Sequence, residues 1–138
     1  MSNARHQAER FCCWVKRNPK AFKFFMATAH RFADENKRLT RSRAYAIAEV
    51  EGIKITDADG EPCEWDITRN HNFWPCLTRL MVMLRPRLAK AFEFRSSRFD
   101  EVDLVEVWHE NVNAGTTFLA KSRAEAQHLV EIGDVAAQ

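Results

Sequence analysis

Apolar residues recur at three- and four-residue steps through much of the first 95 positions, and this period predicts helices. Ala8, Phe11, Cys12 and Val15 share one face of a segment from Ala4 to Lys16 that contains neither Gly nor Pro. Asn18-Pro19 then reads as an N-cap with proline at the first helical position, where its missing N–H costs nothing. Phe22, Phe25, Met26, Ala29, Phe32 and Ala33 carry a second helix on to about Asn36. Thr40 or Ser42 caps a third helix that ends at Gly52 and turns Ala44, Ile47 and Ala48 inward.

The period then breaks. Ile53–Thr56 and Cys63–Thr68 flank the turn-rich Asp57-Ala-Asp-Gly-Glu-Pro62 stretch, the pattern of a β-hairpin. Asn70 or Asn72 caps a fourth helix with the stripe Leu77, Leu80, Met81 and Leu84, and Pro86 starts a short fifth one through about Phe94. Beyond Ser96–Arg98, Val102, Leu104, Val105, Val107 and Trp108 are strand formers. Asn113-Ala-Gly115 is a turn and Thr116–Leu119 a returning strand. Ser122-Arg-Ala-Glu125 is a capping-box pattern that opens a last helix.

The fold class read from this order is α+β: a mainly helical core with a β-hairpin, winged-helix-like, plus a C-terminal β-hairpin and helix. Residues 1–95 form the helical core with its hairpin. Residues 96–138 form an acidic ββα extension packed on that core, so that the whole makes one compact domain, the usual arrangement for 138 residues. An apolar content of 46% against 29% charged residues is that of a chain that folds. The longest apolar runs, Leu80–Leu84 among them, are far short of the roughly 20 residues a membrane span needs. Arg5, Glu9 and Arg10 stand where a signal peptide would be apolar, so the expected location is cytoplasmic. In that setting Cys12, Cys13, Cys63 and Cys76 are expected to be reduced thiols.

Charge changes the picture more than composition does. Residues 1–54 hold 12 Lys/Arg against 5 Asp/Glu, whereas residues 96–138 hold 3 against 8, a sorting that the net +2 conceals. The two ends therefore meet different partners or each other. Within the basic half, Lys37, Arg38, Arg41 and Arg43 fall inside seven residues, at the turn between the second and third helices. A helix N-terminus adds free N–H groups and a positive dipole end, so phosphate is attracted to this corner from two sources. Two helices joined by a tight turn have the form of a helix-turn-helix, with the 53–68 hairpin where a wing would stand. Ser42 and Tyr45 then join Arg41 and Arg43 at the exposed start of the reading helix, and Lys54, Arg69, Asn70 and Asn72 extend the surface. A solvated turn rich in lysine and arginine is the plainer alternative.

Other chemistry finds little footing. Cys63, His71 and Cys76 lack the fourth ligand of a structural zinc site. No Gly-x-Ser-x-Gly elbow accompanies the five dispersed histidines, and the four isolated glycines build no phosphate loop. No metal, cofactor or enzymatic activity is expected.

Two stretches resemble a family of small bacteriophage and prophage proteins without an assigned role. They are Asn18-Pro-Lys-Ala-Phe through Arg41-Ser-Arg-Ala-Tyr-Ala-Ile, and Trp65-Asp-Ile-Thr-Arg-Asn-His-Asn-Phe-Trp through Met83-Leu-Arg-Pro-Arg-Leu-Ala-Lys-Ala-Phe-Glu-Phe-Arg95. The likeness covers residues 18–95; a longer 51–64 hairpin, His71 and the 96–138 extension depart from it. It implies a phage-encoded protein of the host bacterial cytoplasm with a winged-helix-like core. The candidate partners are thus duplex DNA at the basic corner, or a host protein that the chain inhibits or adapts through its acidic end. A head-to-tail homodimer would also satisfy the opposed charges.

Overall fold

A computed structural model describes residues 3–56, 61–63 and 73–133 of the chain. It is mainly helical. Helix α1 spans Asn3–Arg17 and buries Ala4, Ala8, Phe11, Cys12, Trp14 and Val15. Helix α2 spans Pro19–Asp34 and buries Ala21, Phe25, Thr28, Ala29, Phe32 and Ala33, the stripe expected from its period. Asn18 precedes Pro19 but does not cap α2 with its side chain. Its buried amide donates to the carbonyls of Trp14 and Thr56, each at 2.9 Å, and accepts from the Thr56 N–H at 2.7 Å. The side chain thus ties the end of α1 to the segment after α3, a long-range use that local sequence does not display.

Helix α2 ends in a Schellman motif: Asn36 takes a left-handed φ of 55°, and the Lys37 N–H reaches back to the Phe32 carbonyl at 2.8 Å. Asparagine tolerates this conformation better than other residues with a Cβ. Helix α3, Arg41–Val50, is capped by Thr40, whose hydroxyl accepts from the Arg43 N–H at 3.3 Å. Gly52 closes α3 at φ 73° with the same pair of backward bonds.

Strands β1, Ile55–Thr56, and β2, Pro62–Cys63, are two residues each and pair antiparallel, Ile55 opposite Cys63. The expected continuation of the second strand through Thr68 lies outside the described residues, as do Arg69, Asn70, His71 and Asn72.

Helix α4, Phe73–Leu84, is the central element. Every residue from Cys76 to Leu84 is buried, so its sequence is apolar all round apart from Thr78 and Arg79. A 3₁₀ helix, Pro86–Ala91, takes the place of the expected fifth helix. A second one, Arg98–Glu101, is closed by a capping box between Ser97 and Asp100.

The expected C-terminal hairpin is absent. Residues Leu104–Asn111 form helix α5, and 112–122 return without pairing as a strand. Asp103 caps α5 by accepting from the Glu106 N–H at 3.0 Å, and Leu104, Val107 and Trp108 bury a three- and four-residue stripe. Packing of that stripe on α1 overrides the strand preference of Val102, Val105 and Val107. Helix α6, Arg123–Glu131, begins as expected, with the Ser122 hydroxyl accepting from the Glu125 N–H at 3.1 Å. The Glu125 carboxylate takes the Lys121 N–H at 3.2 Å.

A single buried cluster runs from Ala4 through Phe25, Leu80 and Leu88 to Phe99, Val107, Trp108 and Ala126. Residues past 96 thus complete the core that the first 95 begin. No helix among the described residues is long and apolar enough to cross a membrane.

Candidate functional site

The two charged ends meet. Helix α1 lies against α5, and Arg5 donates to Glu110 at 2.8 Å and approaches Glu106 at 3.6 Å. Much of the remaining acidity near the C-terminus is also consumed inside the fold. Asp103 and Glu125 cap helices, and Asp100 accepts from Arg79 at 2.8 Å and from Arg123 at 3.3 Å. The Arg79 side chain is only 4% exposed. It also donates to the carbonyls of Arg95 at 2.8 Å and Pro75 at 3.1 Å, and its guanidinium lies 5.5 Å from the Phe94 ring centre. Burial alone would raise the Asp100 carboxyl, but hydrogen bonds from Arg79, the Ser97 N–H and Arg123 outweigh it and hold it below the usual range.

The basic corner is built differently. Helix α2 ends at Asp34, the chain turns through Asn36, and the 37–40 segment runs beside the chain that follows the first 3₁₀ helix. The Leu39 N–H donates to the Ala91 carbonyl at 2.7 Å, and Arg38 donates through Nη1 to the Phe92 carbonyl. These ties open a cleft of about 220 Å³ lined by Arg38, Arg41, Arg95, Trp74, Phe92 and Glu93 together with smaller neighbours. Trp74 is half-buried, its ring meeting Phe92 at 5.7 Å, Tyr45 at 6.1 Å and Phe25 at 6.4 Å, all edge-on. That aromatic group fixes the cleft's apolar wall. Arg41, Arg43 and Arg95 form no ion pair with any described residue, and Arg41 and Arg43 sit in the first turn of α3.

The expected site residues distribute unevenly around this cleft. Arg38 and Arg41 line it, and Ser42 and Arg43 are exposed beside it. Lys37 is exposed and approaches Glu35 at 3.9 Å. Tyr45 corrects the sequence reading: it is 4% exposed, packed against Phe25 and Trp74, and cannot present itself at the start of a reading helix. Burial raises its hydroxyl well above the ordinary tyrosine value. Lys54 is exposed but follows the far end of α3, about 15 Å of helix away from Arg41. Exposed Glu49, Val50 and Glu51 interrupt any basic strip between them. Arg69, Asn70 and Asn72 lie outside the described residues.

Arg95 is the residue that sequence reasoning missed. It arrives 54 positions after Arg41, and only the pairing of 37–40 with 91–95 brings it there. Its place at the end of the Phe92-Glu-Phe-Arg95 run is the one signal in the sequence.

Two other clefts lack this combination of unpaired cations and aromatic wall. A groove of about 460 Å³ is lined by Asp103, Glu106, His109 and Glu110, but Arg5 already pairs with two of those carboxylates. A cleft of about 90 Å³ beside Arg79, Asp100 and Arg123 holds charges that neutralise one another. Among the described residues no cluster of His, Cys, Asp or Glu could hold a metal ion, and Cys76, one of the zinc candidates, is buried in the core. Comparisons of the chain with protein-family models, with curated proteins and with solved structures return no match.

Proposed function

We propose that the protein binds nucleic acid through the corner between α2 and α3, with Arg38, Arg41, Arg43 and Arg95 contacting phosphates. The observation that carries this reading is a contrast in how the charges are used. Asp100, Asp103, Glu106, Glu110 and Glu125 are committed to partners within the fold, whereas Arg41 and Arg95 line one cleft and Arg43 is exposed beside it, none of the three in an ion pair with a described residue. Unpaired arginines gathered on one side of a small domain form an electrostatic footprint for a polyanion. The N-terminus of α3 adds its dipole.

A winged-helix-like docking would lay α3 in a groove, with β1 and β2 beside it. The exposed residues of α3 support only part of that arrangement. Arg41, Ser42 and Arg43 would meet phosphates, but Glu49 further along would face them with like charge. Phosphate contact at the corner, rather than base reading along the helix, is what these side chains favour.

The test is a fluorescence-anisotropy titration of labelled oligonucleotides at two salt concentrations. With three or four phosphate contacts, log K should fall with log salt at a slope of about −2 to −4. Replacing Arg41 and Arg43 together by Ala should flatten that slope by about 1.5. Absence of binding at low salt removes the proposal.

A further inference from the structure

We infer that the cleft behind the corner holds one unpaired nucleotide, its base against Trp74 and its phosphate on Arg38, Arg41 and Arg95, so that the protein prefers single-stranded to duplex nucleic acid. The inference rests on the nucleic-acid reading above and narrows it.

The shape comes first. A duplex is read by a convex element that enters a groove, whereas this surface is concave where its arginines converge. At about 220 Å³ the cleft is smaller than the roughly 300–1,000 Å³ of drug-sized ligand sites, which suits one base and excludes a paired one.

The lining supplies the second argument. Three guanidinium groups surround an aromatic wall, and bases stack on aromatic and guanidinium faces in single-strand sites. Trp74 keeps part of its surface open here while Phe25, Tyr45 and Phe92 hold its ring in place. Glu93 supplies the third. A small inorganic anion filling the cleft would meet this carboxylate along with the arginines. A nucleotide divides its chemistry in the required way, setting phosphate against the cations while the N–H donors of a base edge face Glu93.

Arg95 separates this inference from simple attraction to the α3 corner. Its side chain can be replaced without touching the core, because the Arg79 bond uses only the Arg95 carbonyl. Arg95→Gln should weaken single-strand binding several-fold and flatten its salt slope by about 0.7, and weaken duplex binding by less.

The base contact is read by tryptophan fluorescence in a Trp65→Phe background. Trp14 and Trp108 are buried, which leaves Trp74 as the ring a base can quench. A 12-nucleotide single strand should quench the emission and bind at least tenfold more tightly than the matched duplex, and an abasic strand of equal length should bind more weakly with no quench. If the abasic strand binds as well as the base-bearing one, or duplex and single strand bind equally, the pocket assignment is overturned and the broader nucleic-acid reading stands. If neither form binds at low salt, both fall. Trp74→Leu, checked by its melting curve to be folded, should weaken single-strand binding roughly five- to hundredfold, the range for loss of one base–aromatic stack.

Discussion

Replacing Asp100 by Ala should destabilise the fold by about 3 kcal/mol, which follows from what the carboxylate touches. Asp100 is the only carboxylate that contacts the Arg79 guanidinium among the described residues, and the arginine side chain is 4% exposed. Removing one partner of a fully buried pair typically costs about 3–5 kcal/mol, because the other charge is stranded. Here the cost is smaller. The Asp100 side chain is 28% exposed, and Arg79 keeps the Arg95 and Pro75 carbonyls as acceptors, which together reduce this part to about 2 kcal/mol. Loss of the bond from the Ser97 N–H to Asp100, which closes the capping box of the second 3₁₀ helix, adds about 1 kcal/mol.

The converse change should cost less. Arg79→Met leaves Asp100 with Arg123 and the Ser97 N–H, at about 1–2 kcal/mol for two carbonyls deprived of their donor. The double variant should then be less destabilised than the sum of the singles by about 1–2 kcal/mol, because Met leaves no charge to strand. Urea denaturation at neutral pH measures all three. The loss for Asp100→Ala corresponds to a melting temperature roughly 10 °C lower in a chain of this length. Acid should give the same information independently. The Asp100 pKa is depressed in the fold, so its contribution is complete above the unfolded value of about 3.9 and disappears as pH falls through the folded value. Wild-type stability should fall more steeply than that of the variant in that acid window. A loss below about 1 kcal/mol for Asp100→Ala, or an additive cycle, would refute the reasoning.

Three further outcomes follow from the same packing. A chain ending at residue 95 should not fold, since it forfeits buried Phe99, Leu104, Val107 and Trp108, worth about 6–12 kcal/mol together, and a cooperative melt of that fragment would contradict the shared core. The chain's single tyrosine, Tyr45, should show no phenolate absorbance at 295 nm through its ordinary range near pH 10 while folded, and an ordinary native midpoint would show it to be exposed. In a Cys63→Ser background, exposed Cys13 should react quickly with a thiol reagent. Cys12, its thiol pushed up to about 12 chiefly by burial, and Cys76 should react only in denaturant; fast labelling of either in the native protein would count against the α1–α4 packing.

Where a structural cause is local, the sequence displays it. The stripes of α1 and α2, the Thr40 cap, the Gly52 stop and the Ser122 cap are readable because each depends on residues within one or two turns of itself. Residues 102–108 show how local evidence can point both ways. Three valines favour a strand, yet Asp103 three places before Glu106 and the stripe of Leu104, Val107 and Trp108 favour a helix. Only a surface to pack against decides between them, and α1 supplies it. Arg79 is a charged residue in an otherwise apolar helix, and the partner that accounts for it, Asp100, lies 21 residues ahead. The cleft depended on still longer connections. Arg38 and Arg41 were visible as a cluster, whereas Arg95 joins them only through backbone bonds from 37–40 to 91–95, and Tyr45 leaves the surface to support Trp74.

The sorting of charge along the chain takes a different meaning once the fold is known. An acidic tail following a basic start could mark two interaction surfaces, but α5 returns against α1 and Arg5 is held among Glu9, Glu106 and Glu110. Several carboxylates near the C-terminus are thereby neutralised on the α1–α5 side or bonded within the fold, which leaves Glu93 as the carboxylate that lines the cleft. The corner between α2 and α3 keeps Arg41 and Arg43 without a counter-ion among the described residues, and Arg95 joins them from the far side of the cleft. A net charge of +2 is too small to attract nucleic acid by itself, so affinity must come from where the positive charge is left unpaired rather than from how much of it there is. Reversing Arg5 to Glu makes that distinction measurable: it should destabilise the α1–α5 contact yet leave the salt dependence of oligonucleotide binding unchanged, whereas Arg95→Gln should do the opposite.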